Sequence, residues 1–199
     1  MKTFMNITYL PDETKSALVD LCIYRKRDRI VEPFAGNGIF SYLFDADRAF
    51  LNDPVQANLT QISTVKNNPA AVQMSISQIR EDVSNYPMYI DPVKSVAFEA
   101  YIEAKEFDDS DSLNAKVESF SDFLNKPQVY IEDNSPMDTL KSLRKKDMVM
   151  MRCAETNEIL FSIIKDAKSL CVILAEKELA VEGYNRLQLN VNNSIYYNF

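Results

Sequence analysis

Two strand-like runs, residues 29–34 and 48–52, enclose a glycine-containing loop and a short helical stretch at 39–44. This order of strand, loop, helix and strand is typical of an α/β unit with parallel strands. Gly36 and Gly38 in the loop are two of only three glycines in 199 residues. Because glycine is so scarce in this chain, the pair predicts a tight turn at which the backbone lies close to a ligand.

The loop has the features of a nucleoside site. A strand that ends in a glycine loop and opens a helix presents free backbone N–H groups to a ligand. Asp53 follows the second strand, where its carboxylate can accept both hydroxyls of a ribose. No GK[ST] sequence follows the loop, and the third glycine of the dinucleotide fingerprint is missing. The pattern therefore predicts a nucleoside-carrying ligand of another class, and a tight turn without a ligand is the alternative.

The remaining pattern completes an α/β sheet. Further strands are predicted at 128–131, 147–151, 169–175, 185–191 and 194–199, and further helices at 12–24, 54–66, 70–82, 95–106, 113–124, 137–143 and 155–166. Seven strands, of which the last two form an antiparallel hairpin, predict a seven-stranded α/β sheet in a single domain spanning 1–199. Residues 67–125 show no strand pattern and are interpreted as a helical insertion.

Composition excludes several functions. Histidine is absent, so Ser-His-Asp catalysis, Cys-His catalysis and His-ligated zinc are impossible, and no metal site is predicted. Cys22, Cys153 and Cys171 lack CxxC spacing and are expected to be reduced core residues. No apolar stretch reaches the roughly 18 residues of a membrane span, and the first residues lack the apolar core of a signal peptide. We therefore expect no membrane association and a cytoplasmic location, in the host cytoplasm if the protein is viral.

The charge is negative and unevenly distributed. A net charge of −7 disfavours binding of duplex DNA by the bare monomer. Residues 99–122 form one acidic stretch. Its two lysines, Lys105 and Lys116, are outnumbered by eight acids, which are Glu99, Glu103, Glu106, Asp108, Asp109, Asp111, Glu118 and Asp122. This stretch is interpreted as a solvated helix–loop–helix face, and a DNA-mimicking surface for a basic partner is the alternative.

Two segments carry a family resemblance. Residues 31–40, VEPFAGNGIF, and residues 50–55, FLNDPV, resemble the EPFxGxG and LND segments of Dam-type DNA adenine-N6 methyltransferases, including those of phages. The resemblance implies a class I S-adenosylmethionine-dependent methyltransferase-like, Rossmann-like fold and a site for S-adenosylmethionine. The residues that it implies for cofactor binding are Phe34, Ala35, Gly36, Asn37 and Gly38 at the methionine end, Asp53 at the ribose, Glu132 and Asp133 near the adenine, and Tyr9 and Lys15 in place of the family's N-terminal motif.

The family's catalytic motif is replaced. In these enzymes a DPPY-like motif at the end of the fourth strand accepts hydrogen bonds from the exocyclic amine and stacks on the flipped base. The matching residues here are Arg152, Cys153, Ala154 and Glu155, none of which supplies that chemistry. The segment 67–125 also stands in place of the family's basic DNA-reading hairpin, and it is acidic and has no glycine.

Together these features favour a catalytically degenerate homologue, or pseudoenzyme. We expect it to act through a protein partner or a second copy of itself, with S-adenosylmethionine either retained as a structural or sensing ligand or lost. Two alternatives stay open. One is an active methyltransferase with another acceptor, using Glu155, Asp147 or Tyr9 as a base, and the other is an acidic inhibitor that mimics DNA. An open cleft beyond the methyl group favours the enzyme, whereas a space filled by Arg152 and Met151 favours the binding protein.

Overall fold

The computed structural model describes residues 11–36, 39–82, 84, 91–106, 111–153, 157–190 and 193–199. Its elements are α1 (Asp12–Cys22), β1 (Arg29–Glu32), α2 (Ile39–Leu43), β2 (Ala49–Asn52), α3 (Gln56–Asn67), α4 (Pro69–Glu81), α5 (Pro92–Glu106), α6 (Leu113–Leu124), β3 (Val129–Glu132), α7 (Pro136–Lys141), β4 (Asp147–Cys153), α8 (Glu158–Ala167), β5 (Leu170–Ala175), β6 (Asn185–Gln188) and β7 (Ser194–Tyr197). Each predicted strand is confirmed, with small differences at its ends.

The strands form one sheet in the order β3-β2-β1-β4-β5-β7-β6. Strands β1 to β5 are parallel to one another, and β7 runs antiparallel to both β5 and β6. The predicted seven-stranded α/β sheet with an antiparallel final pair is therefore confirmed. The order reverses direction between β1 and β4. In open α/β sheets of this kind, ligands bind outside the carboxyl ends of the strands at such a switch point.

The core lies on both sides of the sheet. Alternate residues of β4 divide between two clusters, with Met148 and Met150 in the first and Val149 and Met151 in the second. A strand that is buried on both faces has a continuous run of apolar residues in its sequence. This run is why the sequence predicted a strand at β4. The first cluster extends without a break into the helices between β2 and β3. Its helical members include Val72, Ile76, Val117 and Phe120.

Three element ends differ from the prediction beside side chains that bond to the backbone of the adjoining loop. Helix α3 begins at Gln56 rather than beside Pro54, after a loop in which the Asp53 carboxylate accepts the Val55 N–H at 2.8 Å. Helix α8 begins at Glu158, since the Asn157 side chain accepts the Leu160 N–H at 3.2 Å. Strand β6 ends at Gln188, before a turn in which the Asn190 side chain accepts the Asn193 N–H at 2.9 Å. Asn and Asp favour such caps and turns over strand or helix interiors.

Two of the three cysteines are confirmed as core residues that form no disulfide. Cys22 and Cys171 are both fully buried. Burial raises the pKa of the Cys22 thiol to about 11, against the opposing charges of Arg27 and Arg25. The side chain of Cys153 lies outside the described residues. Within the described ranges, none of the helices combines the length and the apolar character that crossing a bilayer requires.

A buried ion pair joins the amino ends of β1 and β4. The Arg29 guanidinium donates from Nε and from one terminal nitrogen to the two Asp147 carboxylate oxygens, each at 2.9 Å. Asp147 is fully buried, and it also accepts the Arg144 N–H at 2.7 Å. It lies at the end of the sheet opposite to the switch-point crevice. The structure therefore excludes Asp147 as a base at a site in that crevice.

Candidate cofactor-binding site

The carboxyl ends of β1, β2 and β3 lie side by side. In the parallel register Glu32 of β1 pairs with Leu51 of β2, and Asn52 of β2 pairs with Glu132 of β3. The chain therefore leaves the sheet at one edge three times, into the glycine loop, into Asp53 and into Asp133. Of these three, the glycine loop after β1 borders the switch point between β1 and β4, where open α/β sheets bind ligands.

Gly36 has a left-handed backbone that only glycine adopts readily. Its φ is +55°, and the space where a Cβ would stand is empty to 4 Å. Glycine is thus required by the backbone angle and not by crowding. In this conformation the Gly36 N–H donates to the Asp53 carboxylate Oδ2 at 2.7 Å. Gly36 and Asp53, which the sequence assigned to different parts of a cofactor, are therefore hydrogen-bonded to each other.

The Asp53 carboxylate is buried and largely occupied by protein donors. It is 5% exposed. Oδ1 accepts from the Val55 N–H at 2.8 Å and from the Asn58 amide at 3.1 Å, while among the described residues Oδ2 accepts from Gly36 alone. A carboxylate offers about four acceptor positions, two on each oxygen. Asp53 can therefore accept one further hydroxyl at Oδ2 without breaking a bond to any described residue.

Glu32 supports the loop from beneath. It is 1% exposed, and its two carboxylate oxygens accept the N–H groups of Ser41 at 2.7 Å and Phe40 at 3.3 Å, at the start of α2. Burial raises the pKa of Glu32 to about 7, although the hydrogen bonds from Ser41 and Phe40 and the charge of Arg152 lower it. The carboxylate fixes the helix that follows the glycine loop, because the first N–H groups of a helix have no partner within it.

Asn52 is a second polar residue that the sequence prediction missed. It is 1% exposed, and its amide donates to the Pro33 carbonyl at 3.2 Å. Its backbone carbonyl accepts the Ala35 N–H at 2.7 Å. Within the described part of the chain its side-chain Oδ1 is buried and has no hydrogen-bond donor. The side-chain amide and the backbone carbonyl of Asn52 therefore both hold the loop that starts at Pro33. The sequence feature that could have indicated this role is the position of Asn52 directly before Asp53.

The loop residues Phe34 and Ala35 contribute to opposite cores. Phe34 is half-buried and packs on the second cluster, whereas Ala35 is 3% exposed and belongs to the first. At the end of β3, the half-buried Glu132 accepts from the Asn134 amide at 2.5 Å, and Asp133 is exposed. Packing thus engages Phe34 and Ala35, Glu132 accepts one local hydrogen bond, and Asp133 is the exposed acid on the strand end next to Asp53.

The predicted N-terminal part of the site is described only at Lys15. Its ammonium pairs with Asp12 at 3.1 Å within α1. Lys15 also lies near Lys116 of α6, whose pKa is lowered by burial and then by the Lys15 charge. Tyr9, Asn37 and Gly38, which were predicted to bind the cofactor with Lys15, lie outside the described residues.

The position of the catalytic motif is occupied by a continuing strand. Arg152 and Cys153 pair with Leu174 and Ala175 in the β4–β5 ladder. Met151 is 1% exposed and lies in the second core. Arg152 is half-buried, and its charge acts on Glu32. Ala154 and Glu155 lie outside the described residues. The described part of this strand end presents a buried methionine and a guanidinium at the position that the resemblance assigned to an amine-accepting motif.

In the described ranges no group of three or more Cys, Asp and Glu side chains is arranged to hold a metal ion.

Comparison with known proteins agrees with the fold. No protein-family model matches the sequence, and no curated protein matches it significantly. Among solved structures the chain is similar to a methyltransferase from Geobacter sulfurreducens, at 12% identity and a TM-score of 0.50, over 94% of this chain and 79% of that one. The chain has a class I methyltransferase-like fold. At this identity the likeness extends to the fold and not to an activity.

Proposed function

We propose that this chain is a catalytically degenerate relative of Dam-type DNA adenine methyltransferases that acts by binding a protein partner and keeps a reduced site for S-adenosylmethionine. The observation that carries the proposal is the end of β4. There the ladder to β5 continues through Arg152 and Cys153 in place of an amine-accepting motif.

The chemistry of Arg152 opposes adenine methylation. An exocyclic amine becomes nucleophilic toward a methyl group when acceptors bind its hydrogens and turn its lone pair outward. A guanidinium has donors only and stays protonated, so it cannot serve as that acceptor. Arg152 instead places a positive charge near the buried Glu32, which supports the start of α2. We assign Arg152 a structural role.

The residues present fit a nucleoside whose ribose is held weakly, by a single acceptor position. Asp53 retains one acceptor position, on Oδ2, for a ribose hydroxyl, and the exposed Asp133 lies on the neighbouring strand end. When bound, S-adenosylmethionine supplies an electrophilic methyl group. The role that we assign to Gly36 and Asp53 is to hold the loop against the nucleoside. Because protein donors occupy the other three positions of Asp53, we expect weaker binding than a free carboxylate would give.

The helical segment between β2 and β3 is the partner surface that we favour. A cleft of about 540 Å³ opens between α4 and the start of α5, and its lining includes Met74, Gln78 and Val93. Met74 is 62% exposed. An exposed methionine at the rim of a cleft suits a protein contact, since its flexible side chain adapts to the partner. Partner capture should therefore be lost with Met74→Glu and retained with Leu187→Glu on β6.

A DNA-mimicking role has weaker support. Glu99 is half-buried and accepts from the Gln61 amide at 2.6 Å, so its carboxylate is engaged within the protein. Asp111 and Glu118 are exposed, while Asp108 and Asp109 lie outside the described residues.

Calorimetric titration with S-adenosylmethionine and S-adenosylhomocysteine tests the cofactor part. Asp53→Asn should abolish the heat, and the exposed Asp122→Asn on α6, which makes the same charge change, should not. Asn is preferred to Ala at 53 because Asn keeps one acceptor oxygen for these donors, whereas Ala leaves both the Gly36 and the Val55 N–H without an acceptor. An absence of heat with the wild-type protein would remove the cofactor site and leave a pure scaffold. Methyl transfer to a protein or small-molecule acceptor would instead support the active-enzyme alternative.

A further inference from the structure

The amino edge of the sheet, opposite to the candidate cofactor site, is a continuous surface of five loops. Residues 23–28, 45–48, 125–128, 142–146 and 168–169 precede β1, β2, β3, β4 and β5 respectively. Hydrogen bonds join neighbouring loops: Asp28 N–H donates to the Lys146 carbonyl at 2.9 Å, and the Ser169 hydroxyl donates to the Arg144 carbonyl at 2.9 Å. We call these five loops the basic edge.

The basic edge concentrates positive charge in an acidic protein. Nine Lys and Arg residues lie in these loops against three acids, Asp28, Asp45 and Asp47, so the edge has a net charge of +6 on a chain of −7. The nine are Arg25, Lys26, Arg27, Arg48, Lys126, Arg144, Lys145, Lys146 and Lys168. Of the three acids, Asp45 is already paired with Lys126 at 2.6 Å. Most of the cations are exposed, including all of 144–146.

Two of the arginines are held in place by aromatic rings. The Arg25 guanidinium lies 4.6 Å from the centre of the Phe199 ring, and that of Arg27 lies 4.9 Å from the centre of the Phe44 ring. A stacked guanidinium keeps its N–H edge for hydrogen bonding and loses less side-chain freedom when it binds a phosphate. Both arginines line a cleft of about 320 Å³ between the first two loops.

An exposed aromatic residue adjoins the arginines. Tyr24 is 91% exposed and Ile23 is 57% exposed, directly before Arg25. A basic groove beside an exposed aromatic ring is the arrangement that binds single strands, because the cations neutralise phosphates and each base can stack on the ring. We propose that the basic edge binds single-stranded nucleic acid, with the backbone along residues 25–27 and 144–146 and a base on Tyr24. This inference is independent of the proposed cofactor site.

Fluorescence anisotropy with labelled 20-mers of deoxythymidine and of uridine tests the proposal at 50, 100 and 200 mM salt. The test variant is Lys26→Gln with Lys145→Gln and Lys146→Gln. The matched control replaces three lysines elsewhere, Lys94→Gln, Lys105→Gln and Lys177→Gln. Loss of three phosphate contacts should make the slope of log affinity against log salt less negative by about 2 and weaken binding about 100-fold at 0.1 M salt. The control should match the wild type.

A separate variant tests the proposed stacking of a base on Tyr24. Tyr24→Ser should weaken binding about fivefold or more and leave the salt slope unchanged, since it removes a base contact and no charge. Comparison of the two oligonucleotides separates DNA from RNA as the natural strand. An unchanged affinity in Tyr24→Ser would overturn the assigned base position.

Other outcomes would overturn the whole proposal. They are no anisotropy change with the wild-type protein at 50 mM salt, or equal losses in the test and control variants. Capture on phosphatidylserine-containing vesicles, lost in the test variant while neither oligonucleotide binds, would assign the edge to a membrane surface. A salt-sensitive dimer in sedimentation, lost in the test variant while neither oligonucleotide binds, would assign it to a second copy of the chain.

Discussion

Replacing Glu32 by Gln should change how the stability of the protein depends on pH. Glu32 is fully enclosed at the end of β1, where it accepts two N–H groups of α2, and its pKa is raised from 4.5 to about 7. The native state therefore holds the Glu32 proton more tightly than the unfolded state does. Between pH 4.5 and 7 the wild-type protein must lose stability as pH rises, because the unfolded state ionises Glu32 freely. Folding then requires either that the ionised Glu32 carboxylate is buried or that Glu32 takes up a proton.

The size of the effect follows from the raised pKa. Each pH unit between the unfolded and folded values contributes about 1.4 kcal/mol, which gives about 3 kcal/mol in total. Below 4.5 both states are protonated and above 7 both are ionised, so the contribution is constant outside this window. Glutamine is neutral throughout and keeps one acceptor oxygen for the helix. The Glu32→Gln protein should therefore gain about 3 kcal/mol relative to wild type on going from pH 4.5 to 8.

Urea unfolding of the two proteins across this pH range measures the difference directly. Subtracting the curves cancels the titration of all other groups, provided that they are unchanged. The exposed Glu118→Gln on α6 is the control and should show little pH-dependent difference. A difference that is flat with pH, or that moves against the Gln variant as pH rises, would refute the reasoning. The second result would mean that the charge of Arg152 and the helix N–H groups outweigh desolvation at Glu32.

Three further substitutions test the supports of the fold and of the loop, each by urea unfolding at pH 7.5. Asp53→Ala should lower the free energy of unfolding by about 2–5 kcal/mol, because the N–H groups of Gly36 and Val55 lose their acceptor. A decrease below about 1 kcal/mol would show that these bonds are not made in solution. Gly36→Ala should lower the free energy of unfolding by about 1–3 kcal/mol from its positive φ alone, so an unchanged value would contradict the left-handed loop. Asp147→Asn should lower it by about 3–5 kcal/mol, because Arg29 is left buried without its counter-charge. Recovery of the lost stability when Arg29→Met is added to the same protein would confirm that cause, and a further, additive loss would oppose it.

The number and order of the elements could be predicted because buried parallel strands form short apolar runs. The run 147–153 is an example, since both faces of β4 are covered. The start of α8 was misplaced because the Asn157 side chain caps that helix, and the start of α3 because Asp53 holds the Val55 N–H in the loop before it. Both bonds depend on loop geometry that no local sequence pattern reveals. Strand pairing between β1 and β4 joins residues 118 apart, and no local pattern reveals it.

The candidate site was predictable only in part. Gly36 and Asp53 were each expected to face a ligand, and the hydrogen bond between them depends on the register of β1 against β2. Glu32 was missed although a clear signal was present, because a carboxylate within a buried strand must find donors. The basic runs 25–27 and 144–146 are visible in the sequence. Their adjacency arises from the sheet, which brings the amino ends of all five parallel strands to one edge.

We propose that this chain, which has a methyltransferase-like fold, does not methylate adenine. Transfer of tritiated methyl groups from S-adenosylmethionine to unmethylated DNA, single-stranded and duplex, tests it most directly, with Asp53→Asn and Asp122→Asn measured beside the wild-type protein. We predict no labelled DNA above the protein-free background for any of the three. Turnover by the wild-type and Asp122→Asn proteins that Asp53→Asn abolishes would contradict the claim.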